Sequence, residues 1–101
     1  MVVELPRSVW KVINRGIREA RPQRVLLFGS RARGDHRPLS DFDLAFEGVE
    51  DERAWREFRL DQIYEPICLF PLDLVRIETA PEELRDEILR DAVEVWHRDA
   101  S

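Results

Sequence analysis

Residues 28–46 read FGSRARGDHRPLSDFDLAF and hold a Gly-Ser pair and an Asp-x-Asp pair between two apolar runs. The first run, RVLLF at residues 24–28, is continuously apolar and ends at Gly29, which is typical of a buried strand. The second run, residues 40–46, alternates, with its phenylalanines and leucine on one face and its aspartates on the other. The pattern predicts two strands that flank a polar segment, with chemically active side chains next to it.

The two aspartates of the second run predict a metal site. Asp41 and Asp43 are two residues apart, so on a strand they project to the same face. Adjacent carboxylates repel and raise each other's pKa unless a cation lies between them. Oxygen ligands on a rigid strand suit Mg²⁺ or Mn²⁺ rather than zinc. The alternative is a solvated strand face, but the Gly-Ser pair upstream favours the metal site.

The Gly-Ser pair predicts a seat for phosphate. A strand that turns through Gly29 into a short helical segment presents backbone N–H groups and the Ser30 hydroxyl to an anion. Arg31 and Arg33 follow and are candidates for charge-assisted contacts, with an ordinary charged loop as the alternative. No Gly-Lys-Ser/Thr follows, so this is not a Walker loop. A phosphate seat opposite a carboxylate-bound metal is typical of phosphoryl or nucleotidyl transfer.

The rest of the chain predicts further helices and one more strand. Helical spacing of apolar residues predicts a helix over 8–21 with Ser8 as its cap, and a second helix over 51–63. A third strand is expected within 72–77, and a final helix opens at Pro81. The expected buried stripe of that helix is Leu84, Ile88, Ala92, Val95 and Trp96. This order predicts an α/β (α+β) fold, a small mixed sheet of about three to four strands covered by helices.

Composition limits the classes of protein that the chain fits. Its 101 residues suit one domain, residues 1–101, and the net charge of −5 argues against a general nucleic-acid binder. Cys68 is the only cysteine, which excludes an internal disulfide and a cysteine metal cage and predicts a buried free thiol. The first residues resemble neither a secretion signal nor a membrane span, so we expect a cytoplasmic protein with no membrane partner.

The motif resembles that of a known family. Gly-Ser, ten intervening residues and Asp-Phe-Asp, together residues 29–43, resemble the signature of the polymerase-beta-type nucleotidyltransferases. The longer string GSRARGDHRPLSDFDLAF is similar to the minimal nucleotidyltransferases, which are stand-alone domains of about this length, and the resemblance extends over residues 6–96. It implies a polymerase-beta-like fold.

The resemblance also implies a third carboxylate on a later strand. Asp73 matches it, because the leucines on either side of it point the other way; Asp61 is the other candidate but falls in a predicted helix or loop. Asp41, Asp43 and Asp73 are then the catalytic residues and the ligands of two Mg²⁺ ions, with Mn²⁺ as a substitute. The implied nucleotide-binding residues for ATP are Gly29, Ser30, Arg31 and Arg33.

The minimal family implies a specific activity and partner. Its members transfer AMP from ATP to a tyrosine of a HEPN toxin, a helical ribonuclease, and so act as the antitoxin. A heteromeric complex with such a partner, or a homodimer, is compatible with this activity. One alternative is an antitoxin that neutralises its toxin by binding alone. Another is a small-molecule nucleotidyltransferase, although the relatives of that kind carry an additional carboxy-terminal domain.

Overall fold

A computed structural model describes residues 4–99 of the chain. In chain order the helices and strands are α1 (Arg7–Ala20), β1 (Arg24–Phe28), α2 (Ser30–Arg33), β2 (Phe42–Glu47), α3 (Glu52–Tyr64), β3 (Leu72–Arg76), α4 (Glu82–Asp91) and β4 (Val93–His97). A 3-10 turn, Ile77–Thr79, links β3 to α4. Within residues 4–99, no helix combines the length and the apolar character needed to cross a bilayer.

The four strands form one mixed sheet in the order β3-β2-β1-β4. β1 is antiparallel to both β2 and β4, whereas β2 and β3 are parallel. A parallel pair needs a crossover connection, and α3 provides it. The predicted α/β class, with a small mixed sheet of up to four strands, is confirmed. β3 and β4 form the two edges of the sheet.

Each face of the sheet has its own apolar cluster. α1 and α3 cover one face, where Phe46 packs against Phe58 with ring centroids 5.6 Å apart. A Cβ on Gly16 of α1 would lie 2.6 Å from the Phe46 ring, so this glycine lets the helix approach the aromatic residues closely. Ile88 of α4 is fully buried against the other face. The alternation predicted for β2 is confirmed, because its successive residues divide between the two clusters.

The predicted course of the last helix is wrong. α4 ends at Asp91, and Ala92 leaves the helical region with φ −70° and ψ 149°. Val93–His97 then forms β4, which pairs with β1. The cause is the open edge of β1, whose backbone groups need partners, together with the strand preference of two valines. Val95 and Trp96 are therefore sheet residues and not part of a helical stripe.

Ser8 does not cap α1 as the sequence predicts. The residue at the cap position is Pro6, and Ser8 lies inside the first turn. The Ser8 hydroxyl accepts a hydrogen bond from the Leu69 N–H at 3.3 Å and lies 3.6 Å from the Cys68 sulfur. Ser8 thereby ties the segment before β3 to α1. The thiol of Cys68, expected to be buried, is free and only partly buried.

Candidate active site

Asp43 and Asp73 are neighbours across the sheet. They are Cα partners in the parallel ladder between β2 and β3. Leu44 and Leu74 follow them and are buried in the cluster under α1 and α3, so the two carboxylates share the opposite face. Asp41 lies one residue before β2 and is exposed. The structure thus brings Asp43 together with Asp73, the expected third carboxylate, whereas Asp41 of the predicted pair lies just before the strand.

Burial and neighbouring negative charges together raise the pKa of Asp43 from an ordinary 3.8 to about 6. Burial is the largest cause, followed by the negative charges of Asp73 and Asp41. Glu87 on α4 acts in the same direction, and the positive charge of Arg33 opposes it. An ionised carboxylate in this setting is destabilised, and a bound cation would relieve the repulsion.

The donor set fits a hard divalent ion, because it consists of carboxylate oxygens. The three aspartates are not a finished cage, however: across residues 4–99, no three acidic, histidine or cysteine side chains converge closely enough to hold a metal. Asp43 and Asp73 are fixed by the sheet ladder. Asp41 lies outside the strand, one residue before β2, and is not held by the ladder.

Gly29 makes room for the Asp43 carboxylate. Its backbone has φ 72° and ψ −156°, and a Cβ there would overlap Oδ2 of Asp43. The carbonyl of Gly29 accepts hydrogen bonds from the N–H groups of Ala32 and Arg33, each at 3.1 Å. Only glycine combines this left-handed backbone with the absence of a side chain. The turn from β1 into α2 therefore packs directly against the candidate metal ligand.

Ser30 begins α2, the short helical segment that the sequence predicts. The N–H groups of Ala32 and Arg33 donate to the carbonyl of Gly29. The N–H groups of the first residues of a helix, in contrast, have no partner within the helix. The N–H of Gly34 closes the turn on the carbonyl of Ser30 at 2.9 Å. Ser30 is partly exposed beside Gly29. The Ser30 hydroxyl and N–H therefore belong to the residue that follows Gly29, the glycine packed against Asp43.

The two arginines of the motif have different surroundings. Arg31 donates to the carbonyls of Pro38 and Ser40 at 3.0 and 3.1 Å, and its guanidinium lies over the Phe42 ring, 4.1 Å from the centroid. Arg31 therefore holds the loop that leads into β2. Arg33 is exposed and pairs with Asp35 at 3.2 Å. Of the two, Arg33 has the guanidinium whose charge acts on the carboxylate site.

Asp61, the rival candidate for the third carboxylate, lies elsewhere. It belongs to α3, on the face of the sheet opposite the carboxylate pair, and forms a salt bridge with Arg15 of α1 at 2.8 Å. α4 adds negative charge near the site, which the sequence does not reveal. Glu87 helps to raise the pKa of Asp43, and the carboxylate of Asp91 lies 3.9 Å from the Arg33 guanidinium. Their spacing of four residues indicates one helix face, but only the tertiary fold relates that face to the site.

Comparison with known proteins identifies the family of the chain. Residues 11–101 match the family described as "Polymerase beta, Nucleotidyltransferase". No curated protein matches the chain.

Several solved structures share the fold. A toxin–antitoxin complex with AMP-PNP aligns with a TM-score of 0.63 and 22% identity, covering 92% of this chain and 75% of the other. A complex of tri-AMPylated Shewanella oneidensis HEPN toxin with MNT antitoxin gives 0.55 and 21%, covering 89% and 67%. A minimal nucleotidyltransferase gives 0.57 and 31%, covering 83% and 85%. From the family match over most of its residues, this chain belongs to the polymerase beta nucleotidyltransferase family.

Proposed function

We propose that the protein is an adenylyltransferase that moves AMP from ATP to a tyrosine hydroxyl of a HEPN ribonuclease toxin, and so acts as its antitoxin. The observation that carries the proposal is the position of Asp43 between Gly29 and Asp73, where burial and neighbouring charge raise its pKa to about 6. A structural aspartate gains nothing from such repulsion. A carboxylate that binds cationic ligands is relieved of it.

The structural neighbours support the choice of donor and partner. One is a toxin–antitoxin complex that contains AMP-PNP, and another contains a HEPN toxin that carries AMP groups together with its MNT antitoxin. Their identity to this chain is low, so the likeness itself concerns the fold. The proposal extends their nucleotide and partner to this chain because it belongs to a nucleotidyltransferase family and its own Gly29 packs against Asp43, which pairs with Asp73.

Asp41, Asp43 and Asp73 would hold the divalent ions, Mg²⁺ or Mn²⁺. When bound, the ions neutralise phosphate charge and lower the pKa of the acceptor hydroxyl. Asp73 is exposed on the edge strand, where an incoming acceptor hydroxyl can reach it, and it would accept the proton of that hydroxyl. Asp41 would complete the ligand set from the start of β2.

The turn after β1 would bind the triphosphate. Gly29 lets phosphate oxygens approach the backbone, and Ser30 supplies a hydroxyl and an N–H at the start of α2. Arg33 would exchange its exposed ion pair with Asp35 for a phosphate oxygen. Arg31 also stays a candidate from the motif, but its present contacts favour a role in positioning the loop before β2.

The order of these groups across the sheet supports one direction of attack. Gly29 follows β1, Asp43 lies on the central β2, and Asp73 lies on the edge strand β3. In phosphoryl transfer the attacking and leaving oxygens are roughly in line. With pyrophosphate leaving on the Gly29 side, the acceptor hydroxyl enters on the Asp73 side.

Transfer of labelled AMP tests the proposal. The protein is incubated with ATP labelled on the α-phosphate, Mg²⁺ and its cognate HEPN protein, and both the label on that protein and its ribonuclease activity are measured. We expect label and loss of ribonuclease activity with the wild type and with Asp61→Asn, and neither with Asp41→Asn or Asp43→Asn. Inhibition without label, unchanged by those two substitutions, would instead mean neutralisation by binding alone.

A further inference from the structure

A cleft of about 340 Å³ lies beside β3, between the second half of α3 and the segment that leads into the strand. Its lining includes Arg59, Gln62, Ile63, Cys68, Phe70 and Leu74. Asp73 also lines it. α3 covers the face of the sheet opposite the Asp43 and Asp73 carboxylates, so the cleft reaches the candidate active site at Asp73, on the edge strand β3.

Gln62 gives this cleft an unused polar group. The residue is only 8% exposed, and both its Nε2 and its Oε1 are without a hydrogen-bond partner among residues 4–99. Buried amides are normally satisfied, so an orphaned one needs an explanation. A side-chain amide offers a donor and an acceptor side by side, which complements the C=O and N–H of a peptide backbone.

The surroundings of the cleft also suit an extended polypeptide. β3 is an edge strand, and no strand within the described residues pairs with its outer side. Exposed apolar side chains flank the cleft: Ile63 is 57% exposed, Tyr64 78% and Leu69 88%. An unpaired edge beside apolar side chains is the arrangement by which sheets add a strand from another protein.

We propose that this cleft seats an extended segment of the acceptor protein, which lies along β3, bonds Gln62 through its backbone and presents its hydroxyl at Asp73. The inference rests on the proposed AMP transfer and specifies how the acceptor is recognised. The donor ATP occupies the Gly29 side of Asp43, so the cleft serves the acceptor and not the nucleotide. The segment binds through its backbone and one apolar side chain, while the hydroxyl that reacts lies next to the cleft.

Two variants of the cleft and one matched control test this inference. Ile63→Asp places a charge at the cleft, and Gln62→Met removes the amide at nearly constant volume. Leu89→Asp is the control, since Leu89 on α4 is 52% exposed and lies outside the cleft. The KM for the cognate HEPN protein is measured by labelled AMP transfer, and ATP affinity by calorimetry with Mg²⁺. Hydrogen exchange over residues 59–74 is followed with and without the HEPN protein.

We expect Ile63→Asp and Gln62→Met to raise this KM about tenfold, since two lost hydrogen bonds or a charge in an apolar cleft cost about that factor. Leu89→Asp should change it less than about twofold. ATP affinity should stay at the wild-type value in all three, and residues 59–74 should be protected by the HEPN protein. An unchanged KM in both cleft variants, or a parallel loss of ATP affinity, overturns the inference.

The two proposals fail separately. Label on the HEPN protein without protection of residues 59–74 contradicts the docking cleft and leaves the transfer activity standing. Protection of this segment without any label contradicts the transfer activity and leaves the docking cleft standing. Absence of both contradicts both.

Discussion

A side chain at position 29 and the carboxylate of Asp43 would compete for the same space: a Cβ on Gly29 overlaps Oδ2 of Asp43. The glycine proposed to bind phosphate and the aspartate proposed to bind metal therefore form one packed unit, although 13 residues lie between them in the chain. Their contact follows from the antiparallel pairing of β1 with β2, in which Phe28 and Asp43 are partners.

The variant Gly29→Ala tests this contact. The new methyl group displaces the Asp43 carboxylate, and we expect AMP transfer to fall about 100-fold, the typical cost of misplacing a reacting group by about 1 Å. Gly34→Ala is the matched control: Gly34 also has a positive φ, 84°, but its Cβ would meet nothing within 4 Å. Gly34→Ala carries a left-handed backbone strain of about 1–2 kcal/mol. Gly29→Ala carries up to about 3 kcal/mol, because φ 72° with ψ −156° is a conformation that essentially only glycine adopts. Equal losses of activity in the two would attribute the effect to backbone strain and contradict the packing account.

Asp43→Asn should make the metal-free protein more stable while it abolishes transfer. The substitution removes a partly buried charge that Asp73 and Asp41 repel. Because Asp43 keeps some contact with solvent, we expect a gain of about 1 kcal/mol near neutral pH, which for a domain of this size is about 4–8 °C in Tm. Thermal unfolding without divalent ions measures it. Asp86→Asn, at an exposed position on α4, serves as control, and a lower Tm for Asp43→Asn would refute the repulsion.

The stability of the free protein should depend on pH through Asp43. Its pKa is about 6 in the folded protein, against an ordinary 3.8, so the folded state holds this proton more tightly than the unfolded state. Stability from this residue is fully present below pH 3.8 and is lost as the pH rises through about 6. Denaturant unfolding at a series of pH values measures it, with Asp43→Asn as the reference. If the wild-type free energy of unfolding rose relative to that of the variant between pH 3.8 and about 6, the raised pKa of Asp43 would be contradicted.

Mg²⁺ should stabilise the protein in a pH-dependent way. Cation binding and protonation compete for the same carboxylate, so the rise in Tm should be larger at about pH 8 than at about pH 5. We expect the rise to disappear in Asp43→Asn and in Asp73→Asn. Sodium chloride at matched ionic strength controls for general screening. An equal rise in all variants would indicate nonspecific binding to the acidic surface.

Gln62→Met should separate stability from recognition. Replacing an unpartnered buried amide by an apolar group of similar size removes a desolvation penalty, so the unfolding free energy should rise by about 1 kcal/mol. Gln23→Met, at an exposed position, should change it by less than about 0.5 kcal/mol. Urea unfolding of the two variants measures the difference. A less stable Gln62→Met protein would mean that the amide has a partner in solution.

The central residues of the site are predictable from the sequence because their relations are local. Gly29 ends a strand, and Asp43 follows at a fixed spacing on the next one, so two short patterns suffice. The side of β3 on which Asp73 lies follows from the leucines around it. The pairing of Asp73 with Asp43 agrees with the prediction that Asp73 lies beside the other aspartates. The register of β3 against β2, however, is set by the crossover through α3 and not by any local sequence signal.

Other features depend on tertiary contacts that no local pattern contains. Val95 and Trp96 fit a helical stripe as well as a strand, and the unpaired edge of β1 decides between them. The loop carbonyls that Arg31 contacts come close only when the loop folds back on α2. Gln62 lies on the buried face of α3 although its side chain is polar. The sequence does not reveal that its amide lacks a hydrogen-bond partner, because this depends on how α3 packs in the folded protein.

The most direct measurement for the candidate active site is calorimetric titration of the protein with a non-hydrolysable ATP analogue, with and without Mg²⁺. The account predicts saturable binding at one site that requires Mg²⁺ and is lost in both Asp43→Asn and Gly29→Ala, while Gly34→Ala binds as the wild type does. Binding that persists at full strength in Asp43→Asn, or no binding by the wild type with Mg²⁺ present, would contradict it.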